Sequence, residues 1–236
     1  GNARDSRSEA RGLKDEARAL ERKAVHDILG RARVVCVTLG SLDTSLLSGQ
    51  SFDLALLDEA TQATEPMALG PFLRARRVVL AGDHQQLPPT VLSTEAAKAG
   101  LARSLFERLH QEGPAEAHRM LREQYRMHAE IMAYPNRTMY GGGLRAHPSV
   151  AARTLADVLP ADREATDAPP VLFLDTAGKG FEEQQEEGTG SLFNAGEAAL
   201  VVARARELLA LGVPATELAV ITPYSAQAAR LRELLD

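Results

Sequence analysis

Short continuous runs of apolar residues alternate with longer amphipathic segments along most of this chain. A strand that is apolar on both faces must be covered on both faces, which is typical of a parallel sheet flanked by helices. We therefore predict an α/β fold with a parallel sheet. The predicted strands are 34–38, 52–58, 77–81, 118–122, 171–175 and 218–222, and the predicted helices are 94–111, 128–140, 195–211 and 225–235.

The opening segment predicts one long helix that ends at Gly30. Apolar residues recur there at spacings of three and four, which gives a single apolar stripe suited to lying on another surface. These residues are Leu13, Ala17, Leu20, Ala24 and Ile28. A second change of pattern, at Gly113-Pro114, predicts that the rest of the chain forms two α/β units.

Composition excludes several classes of protein. The 236 residues include no apolar stretch long enough to span a membrane. The first seven residues lack the apolar core that a signal peptide has. The lone Cys36 excludes an internal disulfide, so a cytosolic setting is the simplest interpretation. A net charge of −5 argues weakly against a bulk nucleic-acid binder, although 1–33 carries an excess of Lys and Arg. The acidic run 182–187 predicts a solvated loop.

An apolar run that ends in two carboxylates is the strongest candidate for a site. The run 54–57 leads directly into Asp58 and Glu59. Because the carboxyl ends of parallel strands face the ligand crevice, Asp58 is placed to hold Mg²⁺, through water since Mg²⁺ keeps much of its hydration shell. Glu59 is placed to orient and deprotonate an attacking water. The alternative is that both carboxylates simply stand at the start of a helix, where negative charge interacts favourably with the helix dipole.

The next predicted strand also ends in polar residues. It leads into Gly82-Asp83-His84-Gln85-Gln86-Leu87-Pro88-Pro89. Glutamine both donates and accepts, so it can contact a γ-phosphate or a water without changing protonation. The alternative, a turn between two elements, accounts for the glycine, the aspartate and the prolines but leaves the paired glutamines unexplained.

Two further segments have candidate functions. Arg126, in the run 121–128, could stabilise charge on a transferring phosphate, and Tyr125 could stack on a base. The alternative is a polar link between a strand and a helix. In the run 221–227, Thr222 and the helix start after Pro223 suit a nucleic-acid phosphate. There an ordinary capped helix is the favoured interpretation of the segment alone.

The order of these segments resembles the motif series of superfamily-one helicases. The series reads Asp-Glu-x-x-Gln, Gly-Asp-x-x-Gln-Leu-Pro-Pro, Gln-Tyr-Arg-Met-His and Thr-Pro-Tyr-x-x-Gln. The third motif, with Thr138-Met139-Tyr140 soon after it, resembles the branch that contains the nonsense-mediated-decay RNA helicase and the immunoglobulin-mu-binding-protein helicase. The similarity extends to 76–84 and 170–178, and it covers about 34 to 236.

The resemblance implies a RecA-like P-loop NTPase motor with ATP and Mg²⁺ as cofactors. It implies a stalk helix at 1–33, the C-terminal part of a first RecA-like domain at 34–113 and the N-terminal part of a second at 114–236. Asp58 then coordinates Mg²⁺, Glu59 is the catalytic base, Gln86 senses the γ-phosphate, and Arg126 is the first arginine finger. The implied nucleotide-binding residues are Gln62, Gly82, Asp83, Gln124 and Tyr125, with Tyr125 near the adenine, and the implied nucleic-acid-binding residues are Thr38, Pro88, Thr222, Pro223 and Tyr224.

The function implied is ATP-driven 5′-to-3′ movement of a monomeric motor along single-stranded DNA or RNA, in the cytoplasm or nucleus. Nothing in the chain matches Gly-x-x-x-x-Gly-Lys-Ser/Thr, the loop that holds the phosphates. In the family this loop precedes the stalk, and a second arginine finger follows the last motif present. We therefore expect a chain truncated at both ends, and inactive by itself.

Two other functions stay open at this stage. One is a non-catalytic nucleic-acid-binding scaffold that keeps the helicase fold, against which the intact set of Asp58, Glu59, Gln86 and Arg126 argues. The other is an unrelated Mg²⁺-dependent phosphohydrolase built on the acid pair. Dependence of hydrolysis on added single strands distinguishes a helicase motor from the latter.

Overall fold

The computed structural model describes residues 2–42, 47, 49–161 and 168–236. The chain divides into two compact units, Gly1–Arg119 and Met120–Asp236. The break predicted at Gly113 lies shortly before this division. None of the helices in the described ranges is long and apolar enough to cross a membrane.

The first unit begins with the predicted long helix. Helix α1 spans Asn2–Arg31, one residue beyond the predicted end at Gly30. Its apolar stripe is exposed, with Leu13, Leu20 and Ile28 each more than 60% accessible. The stripe therefore forms as predicted, but among the described residues it is not buried against another surface.

Two parallel strands carry the core of the first unit. Strand β1 spans Phe52–Leu57 and β2 spans Ala75–Leu80. They pair in parallel with Leu57 opposite Leu80, as the apolar runs predict. The end of β1 packs into a cluster of buried residues, which are Leu57, Ala60, Ala63, Ala68 and Leu105. This cluster anchors the segment that follows β1.

Helices surround this pair of strands. Helix α2 spans Glu65–Ala68, α3 spans Thr94–Ala96, and α4 spans Leu105–Glu112. The continuous helix predicted for 94–111 is wrong, because the chain passes through a π-helical turn at Ala97–Leu101 in which Gly100 has a φ of 106°. A new helix then starts where the Ser104 hydroxyl accepts a hydrogen bond from Glu107 N.

A paired ion contact joins α4 to α2. Arg108 donates to both carboxylate oxygens of Glu65, at 2.7 and 2.9 Å. The hydrogen bonds from Arg108 lower the pKa of the Glu65 carboxyl below its usual value. The two helices are thereby fixed on the same side of the core.

The second unit contains two small sheets and four helices within the described residues. Strands β3, Glu123–Gln124, and β4, Arg145–Ala146, pair in parallel. Strands β5, Glu183–Gln185, and β6, Leu192–Asn194, pair antiparallel. The helices are α5, Ala129–Thr138; α6, Pro148–Ala151; α7, Ala195–Leu211; and α8, Ser225–Leu235. Helices α7 and α8 match the predicted ranges, and α5 is slightly shorter than predicted.

Several predicted strands do not form. The runs 34–38, 171–175 and 218–222 are not paired in a sheet, and only the two residues of β3 follow the run predicted at 118–122. A strand needs a hydrogen-bonding neighbour, and within the described ranges the runs 34–38, 171–175 and 218–222 find none. Their side chains are correspondingly exposed: Val34 is 79%, Phe173 85% and Ile221 92% accessible.

The loop predicted at 182–187 is also wrong, because β5 lies within it. Strand β5 folds back onto β6 through a turn in which Gly188 and Gly190 have φ values of 87° and 70°. Only glycine adopts this conformation without strain, so the two glycines allow the acidic run to form one strand of a hairpin.

Helix α8 is attached to this hairpin by a buried glutamine. Gln227, 9% accessible, accepts a hydrogen bond from Asn194 N at 2.8 Å and donates to Asn194 O at 3.3 Å. Its amide thus pairs with the backbone of β6 as a neighbouring strand would. Ala198, Val202 and Leu231 pack beside this contact.

We predict that Gln227→Ala lowers the free energy of unfolding by about 1–3 kcal/mol, because both backbone groups of Asn194 lose their partner in a half-buried site. Urea unfolding followed by circular dichroism measures the change. Gln184→Ala is the matched control, since Gln184 is exposed on the same hairpin, and its effect should stay within about 0.5 kcal/mol. Equal effects of the two substitutions would contradict the assignment.

Candidate functional site

The ends of β1 and β2 are joined by backbone hydrogen bonds that continue beyond the strands. Ala81 N donates to Leu57 O, and Ala60 N donates to Ala81 O, both at 2.8 Å. The residues after each strand, Asp58-Glu59 and Gly82-Asp83, therefore leave the sheet side by side. The structure thus brings together the first two candidate motifs at the carboxyl edge of the sheet, where α/β proteins bind ligands.

Glu59 has an unusual backbone. Its φ and ψ are 51° and 39°, and among the described residues it alone combines a positive φ with a side chain. Such a conformation costs about 1–2 kcal/mol and is found mostly where function requires it. A 3-10 turn, Ala60–Gln62, does follow, but neither carboxylate caps it. The alternative that the acid pair serves only to begin a helix therefore does not explain this geometry.

Both carboxylates are exposed, and each has one oxygen without a hydrogen-bond partner among the described residues. Asp58 Oδ1 accepts from Glu59 N at 3.1 Å, and Glu59 Oε2 accepts from Gln62 Nε2 at 3.2 Å. Over the described ranges, no group of three or more His, Cys, Asp or Glu side chains is arranged to hold a metal. A carboxylate oxygen such as that of Asp58 is a ligand of the kind that Mg²⁺ prefers.

Gly82 allows the two motifs to touch. A Cβ at this position would lie 3.1 Å from both Cγ2 and N of Thr61. This spacing is tighter than ordinary contact, so a side chain at residue 82 would push the Ala60–Thr61 backbone away. The Thr61 hydroxyl is buried and has no hydrogen-bond partner within the described part of the chain, which is rare for a buried polar group.

Asp83 organises the turn after β2. Its carboxylate accepts from Gln85 N at 3.0 Å and from Gln86 Nε2 at 2.9 Å. The turn interpretation therefore explains Asp83, which fixes the orientation of the Gln86 amide. Held in this way, Gln86 directs a carbonyl oxygen and a second N–H that are available to a ligand.

Three histidine rings lie against one another, tilted, beside this turn, which the sequence did not indicate. The ring centroid of His110, on α4, lies 4.4 Å from that of His84 and 5.0 Å from that of His118. Partial burial, with the two neighbouring rings, lowers the pKa of His110 below its usual value. These ring contacts link the His84 turn to α4.

The other candidates of the first unit lie outside this strand edge. Thr38 ends no strand; it precedes a 3-10 turn, Leu39–Ser41, and its hydroxyl lies 3.1 Å from the Ser41 hydroxyl. Leu39 packs against the buried cluster that contains the end of β1. Pro88 is exposed, whereas Pro89 is buried. Neither Thr38 nor Pro88 has a hydrogen bond to the acid pair in the described ranges.

In the second unit, Gln124 holds the turn that presents Arg126. Its Oε1 accepts from Arg126 N at 2.8 Å and Met127 N at 2.9 Å, and its Nε2 donates to Met127 O at 2.8 Å. The amide of Gln124 is thus used mainly within the protein. The Arg126 side chain is exposed, and its guanidinium has no partner among the residues that the structure describes.

Tyr125 is also exposed, but its ring is held. Its hydroxyl donates to Glu123 Oε2 at 2.8 Å, and its ring stacks on that of His147. This hydrogen bond raises the pKa of the Tyr125 hydroxyl above its usual value. An aromatic ring with one open face is suited to stacking on a planar ligand.

The segment Thr222–Tyr224 leads into α8 without forming a strand. Tyr224 occupies the position before the helix but gives no side-chain cap. Instead, Ser191 Oγ of the hairpin accepts from Ala226 N at 3.1 Å. The helix start is therefore capped from a distant residue. Ser191 and Gln227 are structural residues of this motif that spacing alone could not identify.

We predict that Glu59→Gly raises the free energy of unfolding by about 0.5–1 kcal/mol, because the strain relieved exceeds the cost of glycine's freedom in the unfolded chain. Glu59→Ala removes the same carboxylate but keeps the strain, so it should give no gain. Urea unfolding of both variants provides the comparison. If the glycine variant is no more stable than the alanine variant, Glu59 carries no backbone strain.

Two family models, which share one description, match different parts of the chain. Residues 1–94 and 101–236 each match a family model described as an AAA domain. The DNA-binding protein SMUBP-2 of Rattus norvegicus is 44% identical over 98% of this chain, which spans 24% of that protein. The chain is also 33% identical to the DNA polymerase alpha-associated DNA helicase A of Saccharomyces cerevisiae, over 97% of this chain and 37% of that helicase.

An uncharacterized ATP-dependent helicase of Methanocaldococcus jannaschii is 36% identical over 91% of this chain, which spans 32% of it. The chain thus covers about a quarter to a third of these relatives. AAA domains of helicases have the P-loop NTPase fold, with which the parallel pairing of β1 and β2 agrees. The match over more than half of its length shows that this chain belongs to the AAA domain family.

Proposed function

We propose that this chain is the central portion of an ATP-dependent helicase or translocase that couples ATP hydrolysis to 5′-to-3′ movement on single-stranded nucleic acid. The strained Glu59, beside Asp58 at the common edge of β1 and β2, is the observation that carries the proposal. Family membership and relatives named as helicases support it. The two units are proposed to be parts of RecA-like domains.

The acid pair is proposed to perform the hydrolysis. Asp58 would hold Mg²⁺ through water, and that ion supplies charge neutralisation on the phosphates. Glu59 orients the attacking water and accepts its proton, while Gln62 steadies the Glu59 carboxylate through the bond at 3.2 Å. Gln86, set by Asp83, contacts the γ-phosphate, and Gly82 keeps the two loops close.

Arg126 and Tyr125 of the second unit are proposed to contact ATP. Arg126 is the first arginine finger, and its exposed guanidinium, which has no partner among the described residues, supports this role. Gln124 fixes the turn from which Arg126 projects. Tyr125 stacks on the adenine.

Single-stranded nucleic acid is the proposed substrate. The proposed motor is monomeric and acts in the cytoplasm or nucleus. DNA is the first substrate to test, since SMUBP-2 is named as a DNA-binding protein and the relative from Saccharomyces cerevisiae as a DNA helicase. Backbone contacts are proposed for Thr38, Pro88, Thr222, Pro223 and Tyr224. The exposure of Pro88 and Tyr224 is compatible with such contacts.

In the full-length protein, Glu59→Gln and Arg126→Ala should each lower strand-stimulated ATP hydrolysis by orders of magnitude, about 10³–10⁵ for an arginine finger. Steady-state phosphate release with single-stranded DNA measures this. Glu116→Gln and Arg119→Ala, at exposed positions of the first unit, are matched controls that should keep activity. Normal turnover by either test variant refutes the role of that residue.

The 236-residue chain by itself should hydrolyse no ATP, with or without nucleic acid, because it contains no Gly-x-x-x-x-Gly-Lys-Ser/Thr loop for the phosphates. The same phosphate-release assay applies. Strand-stimulated turnover of this piece that Glu59→Gln abolishes would contradict the expectation, whereas turnover unaffected by that substitution would indicate a contaminant.

A further inference from the structure

The ring of Tyr125 is fixed at two points. On one face it stacks on the His147 imidazole, with ring centroids 4.3 Å apart and an angle of 27° between the planes. At its end, the hydroxyl donates to Glu123 Oε2 at 2.8 Å. An aromatic side chain held at a face and at its tip has little rotational freedom left to lose when a ligand binds.

His147 is itself held by backbone and side-chain contacts. Its backbone N–H donates to Gln124 O at 2.9 Å. This bond continues the β3–β4 pairing, because Gln124 lies on β3 directly before Tyr125. Its Nδ1 accepts from Ser149 N at 3.2 Å and lies 2.8 Å from the Ser149 hydroxyl, at the start of α6. The imidazole is therefore anchored on the strand next to the one that leads into Tyr125.

Among the described residues, no other ring stacks on the opposite face of Tyr125. The residue stays 60% accessible although His147 covers one side of the ring. A fixed aromatic ring with one free face is a stacking platform, and stacking recognises the planar face of a base without hydrogen bonds to its edges.

We propose that His147 is a positioning residue that holds the Tyr125 ring ready to stack on the base of the bound nucleotide. This inference rests on the proposed function, in which Tyr125 contacts that base. Without His147 the ring keeps only the hydrogen bond of its hydroxyl to Glu123, and the cost of ordering the ring on binding weakens nucleotide affinity by about 3–10-fold. Because stacking reads no base edges, the loss is the same for ATP and GTP.

Two substitutions separate the ring of His147 from its capping role. His147→Asn keeps a side chain that can cap α6 but removes the ring, whereas His147→Phe keeps a ring and loses the cap. In the full-length protein with saturating single-stranded DNA, we expect His147→Asn to raise KM for ATP about 3–10-fold while kcat changes little. His147→Phe should restore KM to within about twofold of the wild type.

His128→Asn is the matched control, because His128 caps α5 through Nδ1 in the same way but stacks on no ring in the described ranges. Its KM for ATP should not change. The reverse pattern, with KM raised by His147→Phe and not by His147→Asn, would show that His147 serves only as a cap and would overturn the proposal.

A double-mutant cycle tests the connection with Tyr125. Tyr125→Ala should raise KM for ATP, and adding His147→Asn to it should have no further effect. A further rise in KM, or an effect confined to the affinity for the single strand, overturns the proposal. If Glu59→Gln abolishes turnover while Tyr125→Ala leaves KM unchanged, the platform is wrong but the ATPase assignment stands; if Glu59→Gln keeps turnover, the proposed function itself fails.

Discussion

The backbone pairing that joins the ends of β1 and β2 is the constraint on which the rest of the candidate site depends. Ala81 accepts from Ala60 and donates to Leu57, so the two loops leave the sheet in a fixed relation. The buried cluster that contains Leu57 and Ala60 anchors this edge of the sheet. Without this pairing, nothing would hold the carboxylates of one loop next to the side-chain amides of the other.

Strain and close packing are concentrated at this same edge. Glu59 adopts a left-handed backbone, and Gly82 approaches the Ala60–Thr61 backbone so closely that a side chain would displace it. The left-handed backbone costs free energy, and the buried hydroxyl of Thr61 beside Gly82 has no partner among the described residues, which also costs free energy. Local features that lower stability are expected at functional sites, and here they lie at one edge of the sheet.

Local signals in the sequence were sufficient for the elements that depend on local pattern. The β1 and β2 runs, helices α7 and α8, and the acid pair at the end of β1 follow from periodicity and from what parallel strands require. The runs at 34–38, 171–175 and 218–222 have the same composition but lack a pairing neighbour in the described ranges. The Gln227–Asn194 and Tyr125–His147 contacts join residues distant in sequence, so no spacing rule could have predicted them.

The central claim is that the acid pair belongs to a motor driven along nucleic acid and not to a free-standing phosphohydrolase. The most direct measurement is the rate of ATP hydrolysis by the full-length protein, titrated with single-stranded DNA and, in parallel, single-stranded RNA of equal length. The account predicts low turnover without a strand and a saturable rise with at least one of the two. Full turnover in the absence of either strand, unchanged by adding them, would contradict it.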